Sequence, residues 1–155
     1  MRTSHLVATA TLALGLVAGT GGTAWAGGVE RFTLPDEQFP VDNPCTGAST
    51  LLTLTDQQLL VREAEDGNGA FHITQHVAAD WHTEDGFSGR FRDNFGVTDA
   101  DPGTFTDFVL HQQVRFVGRN ASGRVAKFRG SYVVRQTPDG PRAQVEFEEA
   151  TCVGR

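Results

Sequence analysis

The chain has 155 residues, a formal net charge of −6, two cysteines and five histidines. The acidic balance argues against a nucleic-acid partner, because phosphate binding needs a basic footprint, and against electrostatic docking on anionic lipid. The length corresponds to one domain.

Residues 1–26 read as a cleavable signal peptide. Arg2 supplies the positive start, "LVATATLALGLVA" the apolar core, and "AWA" the small-residue cleavage site. The apolar run is too short and too rich in threonine to span a bilayer well. Cleavage takes away one basic residue and no acid, leaving a secreted domain at 27–155 with a net charge of −7. The expected location is extracellular, free or held at the cell wall, with no membrane span after cleavage.

No segment after the leader has the periodicity of a helix. Gly-rich turns recur instead, at Asp66-Gly67, Asp85-Gly86, Ser122-Gly123 and Asp139-Gly140. Short runs of Val, Ile, Thr and Phe lie between them, which is the pattern of an all-β sandwich or barrel. The predicted strands are 29–34, 49–55, 58–64, 71–79, 87–95, 108–117, 125–135 and 143–151. Residues 36–47 read as extended loop because Pro40 and Pro44 remove ladder donors. Strands 49–55 and 58–64 are expected to pair around Asp56. The expected fold is all-β: one antiparallel eight-stranded barrel, with a β-sandwich as the alternative. Closure removes unpaired edges, and an eight-stranded barrel has room for side chains or one small ligand.

Two lone cysteines in an exported domain most simply form one disulfide, Cys45–Cys152, pinning the last strand to the start of the domain. No C-x-x-C spacing supports a redox or metal role.

"AFHITQHVAADWH", residues 70–82, carries three histidines. In a strand His72 and His76 share a face but lie about 13 Å apart at about 3.3 Å per residue, too far to bind one zinc without a bulge. Asp80 and His82 lack a nucleophile motif for a hydrolytic triad. "DADPG" at 99–103 offers two carboxylates, but Thr104 and Leu110 stand where an EF-hand loop needs Gly and Glu. No metal, cofactor or catalytic residue is implied.

The alternation suggests a different site. Gln75 interrupts Ile73 and Val77, Gln112 interrupts Leu110 and Val114, and Tyr132 lies on another apolar face. Buried amides need partners, and sparse polar groups in an apolar cavity orient small ligands. Gln75, Gln112 and Tyr132 are therefore the candidate ligand-binding residues. The competing orientation turns His72, Thr74, His76 and His111 inward and exposes Phe71, Ile73 and Val77. In the last two strands, matching the apolar faces of Tyr132 and Val145 requires a two- or four-residue loop. That register sets Lys127, Arg129 and Arg135 outside beside Glu146 and Glu148.

The order of "NPCTG" (43–47), "HITQHV" (72–77) and "EEATC" (148–152) resembles small secreted proteins of high-GC Gram-positive bacteria that carry no assigned function. That resemblance implies an exported domain with a Cys45–Cys152 bridge. More distantly the layout is similar to lipocalin and allene-oxide-cyclase barrels, which bind or cyclise apolar small molecules. The leading expectation is a non-enzymatic barrel that holds a small apolar or amphipathic molecule. The alternatives are a cofactor-free barrel enzyme of cyclase or isomerase type and an extracellular interaction module with a filled core.

Overall fold

The computed structural model describes residues 28–154 apart from 68, 101–103 and 105. The expected signal peptide and part of the "DADPG" segment lie outside these residues. Eight strands follow in order: β1 (Val29–Thr33), β2 (Glu37–Asp42), β3 (Ser49–Glu65), β4 (Phe71–Thr83), β5 (Ser88–Asp99), β6 (Phe108–Arg119), β7 (Val125–Thr137) and β8 (Gly140–Val153). They form one antiparallel sheet in the order β1-β3-β4-β5-β6-β7-β8, with β2 also paired to β3.

The count of eight agrees with the sequence reading, but two of the strands differ. The segments expected to pair around Asp56 are one long strand, β3. At Asp56, whose φ is 52°, the pairing with β4 shifts register. The one extra residue moves the apolar phase from Leu52 and Leu54 to Leu59 and Val61, so one bulged strand looks like two in the sequence. Gln57 is buried at the bulge. Its side-chain amide donates to the Pro35 carbonyl, and its own carbonyl accepts from the Leu34 N–H. That fixes the link between β1 and β2, which occupy successive stretches of the same β3 edge. The segment read as a loop contains β2, and Pro40 is tolerated there because β2 is an edge strand.

The closed barrel expected from the sequence is corrected to a sheet that is not closed. No ladder among the described residues joins β8 to β1 or β2. The ends are tied by chemistry other than strand pairing. Cys45, in the turn after β2, meets Cys152 of β8 at disulfide distance, 107 positions apart. The Arg124 guanidinium donates to the Cys45 carbonyl at 2.5 Å. Asn43 is buried beneath the bridge, accepting from the Cys45 N–H at 2.8 Å and donating to Asp85 at 2.7 Å.

The face on the inner side of this tie is the apolar one. Leu52, Leu54, Ala79, Trp81, Phe87, Phe91 and Ala126 form its buried core. Phe116 lies 4.6 Å from Phe91 and 5.9 Å from Phe128, ring centre to ring centre. Gly118 makes room for Trp81: a Cβ there would fall 2.3 Å from the indole and 2.4 Å from the Ser88 carbonyl oxygen.

The ladders from β4 to β7 run without a slip, but β7–β8 does not. The hairpin turns through two residues, pairing Thr137 with Gly140, as matched apolar faces require. A register shift between Arg135 and Gln136 then adds one residue to β8, so Tyr132 pairs with Glu146 and Ser131 with Phe147. The expected outward placement of Glu146 and Glu148 is thereby reversed. They share the inner side with Tyr132, and Phe147 goes out, 45 % exposed, with Arg129 5.1 Å from its ring centre.

Two outcomes check this packing. Reducing the bridge should lower unfolding free energy in urea by several kcal/mol, against about 4.7 kcal/mol for a loop of about 100 residues; equal midpoints with and without reductant would contradict it. Gly118→Ala should destabilise by about 1–3 kcal/mol through overpacking and shift Trp81 fluorescence.

Candidate functional site

The inner face changes character along the strands. Near the disulfide it is a packed aromatic core. Halfway along, polar side chains enter it. The register aligns Gln75 of β4 with Phe95 of β5, Phe95 with Gln112 of β6, Gln112 with Tyr132 of β7, and Tyr132 with Glu146 of β8. The three residues singled out from three separate strands therefore occupy one cross-strand row, and all three are half-buried.

The adjacent row, toward the core, runs Val77, Asp93, Val114, Gly130 and Glu148. Two side chains connect the rows. Gln112 donates its amide N–H to Asp93 Oδ2 at 2.8 Å. The Tyr132 ring lies over Gly130, where a Cβ would come within 3.2 Å of it, and its hydroxyl donates to Glu148.

Asp93 is 5 % exposed, and its Oδ1 is buried with no hydrogen-bond partner among the described residues. Burial pushes its carboxyl above the ordinary aspartate value of 3.8, and the Gln112 hydrogen bond offsets part of that rise. Burial, then the hydrogen bond and charge of Glu148, then the charge of Glu146, push the Tyr132 phenol upward, so it stays protonated and donates. The band thus offers an unpaired carboxylate oxygen, two amides and a phenol against apolar neighbours.

Sequence reasoning missed two members of this group. Asp93 was readable: it stands two residues from both Phe91 and Phe95, so strand alternation puts it on their face. Glu148 was not, because its side of the sheet depends on the extra residue in β8.

The histidine-inward alternative is reversed by the same registers. His72, Thr74 and His76 face outward on β4. His72 Nδ1 lies 3.1 Å from Thr98 Oγ1, and its Nε2 lies 3.6 Å from Asp66. His76 Nδ1 lies 2.7 Å from Asn94 Oδ1. His111 is outward on β6, its ring against Gly96. Among the described residues no three His, Cys, Asp or Glu side chains converge to hold a metal. No helix among them is long and apolar enough to cross a membrane.

No family model, no curated protein and no solved structure matches this chain.

The buried carboxylate yields a stability prediction with a definite sign. The folded protein holds the Asp93 proton to higher pH than the unfolded chain does. Stability therefore falls as pH rises from 3.8 through the raised folded value, and the penalty is fully present above it. Asp93→Asn keeps an acceptor for Gln112 and removes the buried charge, so it should raise stability at pH 7. The gain should shrink toward pH 4. Urea titrations of both proteins at the two pH values measure it, and a destabilised Asn variant at pH 7 would contradict the assignment.

Proposed function

We propose that this protein is an exported, non-enzymatic binder of a small amphipathic molecule, held on the inner face of its curled sheet. A cysteine pair at disulfide distance is compatible with an extracellular protein. The observation that carries the reading is Asp93: a buried carboxylate with one oxygen unpartnered, beside Gln112 and one row from Gln75 and Tyr132. A stranded buried acceptor destabilises a fold by about 1–3 kcal/mol unless something donates to it. The ligand's head group would be that donor. The amides of Gln75 and Gln112 orient it, and Phe95, Leu110 and Val114 cover its apolar body.

The charge at the two edges of the inner face favours the same kind of head group. Glu146 and Glu148 stand on the inner side of one unpaired edge. Glu30 and Glu37 stand on the inner side of the other, opposite Val61 and Leu54. A neutral or cationic donor meets no repulsion there, whereas a fatty-acid carboxylate would face carboxylates.

The test is native mass spectrometry of protein purified from its own host, followed by titration of stripped protein with N-phenyl-1-naphthylamine, an apolar probe with one N–H donor. A co-purifying small mass and saturable probe fluorescence are expected. Gln75→Leu should weaken probe binding about tenfold, the equivalent of 1.4 kcal/mol, without loss of stability, whereas Gln112→Leu should also destabilise the fold by about 1–3 kcal/mol because it strands Asp93 Oδ2. A bare protein mass with no probe binding would instead support a filled-core module.

A further inference from the structure

The outer face of β5, β6 and β7 is charged in a way the rest of the molecule is not. Its outward positions hold seven of the thirteen Arg and Lys residues and no Asp or Glu, in a chain of net charge −6. Arg92, Arg115 and Arg129 lie directly opposite one another in a single row. The adjacent row adds Arg90 and Lys127, on either side of Val117. Among the described residues, acidic partners occur only at the flanks, where Asp80 meets Arg90 at 2.9 Å and Glu149 meets Arg129 at 2.6 Å. No ion pair engages Arg92, Arg115 or Lys127 among the described residues. Like charges directly opposite each other destabilise a sheet, so this row is electrostatically unfavourable until an anion lies on it.

The neighbouring row says what kind of anion. Asn94, Gln113 and Ser131 lie in register beside the arginines, and the row ends at the exposed ring of Phe147. Amides and a hydroxyl bond to alcohols, and an aromatic face packs on a sugar ring. The other ring in these rows, the His76 imidazole at the far end of the amide row, is held edge-on by its 2.7 Å contact with Asn94 Oδ1, so no run of stacked aromatic platforms of the kind single-stranded nucleic acid uses is present among the described residues. Between β6, β7 and β8 the surface forms an open groove of about 430 Å³, lined by Arg115, Lys127 and Arg129 with Val117, Glu149 and Thr151. We propose that this face binds a linear acidic polysaccharide. Guanidinium groups grip its carboxylates in bidentate fashion, and the amide row meets its hydroxyls. The site is independent of the inner-face ligand and stands on different residues.

Affinity electrophoresis in gels containing sodium polygalacturonate tests it. The wild-type protein should be retarded, with neutral dextran having no effect, and the retardation should fall as salt rises. Arg92→Gln, Arg115→Gln and Arg129→Gln together should weaken binding by at least about tenfold. The triple variant should melt no lower than wild type, because the like-charge row is gone. Arg92→Gln alone should show a smaller loss of binding, and gives the readout if the triple variant folds poorly. Arg31→Gln with Arg62→Gln, on the outer side of β1 and β3, should leave binding unchanged. Three results would overturn the proposal: no retardation by polygalacturonate, equal retardation of wild type and the arginine variants, or equal or tighter binding to single-stranded DNA or phosphatidylglycerol vesicles.

Discussion

The strict alternation of side chains along a strand, carried across unbroken ladders from β4 to β7, is the constraint on which both faces depend. Register Phe91 against Phe116 and Phe116 against Phe128, and every other residue of those strands is assigned a side. The aromatic core, the row of Gln75, Gln112 and Tyr132, and the outer arginine row are consequences of one set of pairings. A slip of one residue in any of these ladders would move the polar residues out and the arginines in. Nothing would then neutralise buried arginines, so the register is held by a large energetic difference.

The bulges modify this rule in two places, and each does something identifiable. At Asp56 the bulge lets β3 continue in one line while its apolar phase jumps, so that Leu52 and Leu54 join the disulfide-end core and Leu59 and Val61 join the other half of the inner face. In β8 the extra residue brings Glu146 and Glu148 to the inner side, at an edge that no strand among the described residues covers. Charged side chains on an unpaired edge also oppose edge-to-edge association of sheets. The disulfide and the Arg124 hydrogen bond then supply what strand pairing among the described residues does not, holding β8 near the turn after β2.

Much of this was legible in the residues, for physical reasons. Strand content, antiparallel order and the inward set of Gln75, Gln112 and Tyr132 follow from turn chemistry and from period-two patterning, both local, and the cysteine partnership follows from there being only two cysteines to pair. Closure was over-read, because a tie by sulfur need not imply a continuous ladder. β2 was missed because its Pro40 reads as a breaker, although an edge strand tolerates it. The sidedness of Glu148 and Phe147 was inverted, because a bulge is set by twist and by the competition of two faces, neither of which leaves a mark at Arg142. Asp93 was overlooked although its parity gave it away, since a carboxylate between two phenylalanines looks like a surface position until the phenylalanines are counted by twos.

The β7–β8 register is the measurement on which most turns, because it decides which acids stand on the inner face and whether Phe147 adjoins the arginine rows. Cross-strand backbone NOEs in isotope-labelled protein report it directly. The account predicts contacts pairing Ser131 with Phe147 and Arg129 with Glu149, and a break in the pattern beside Arg135. Continuous pairing of Ser131 with Glu146 and Arg129 with Glu148 would place Glu148 among the arginines and contradict it.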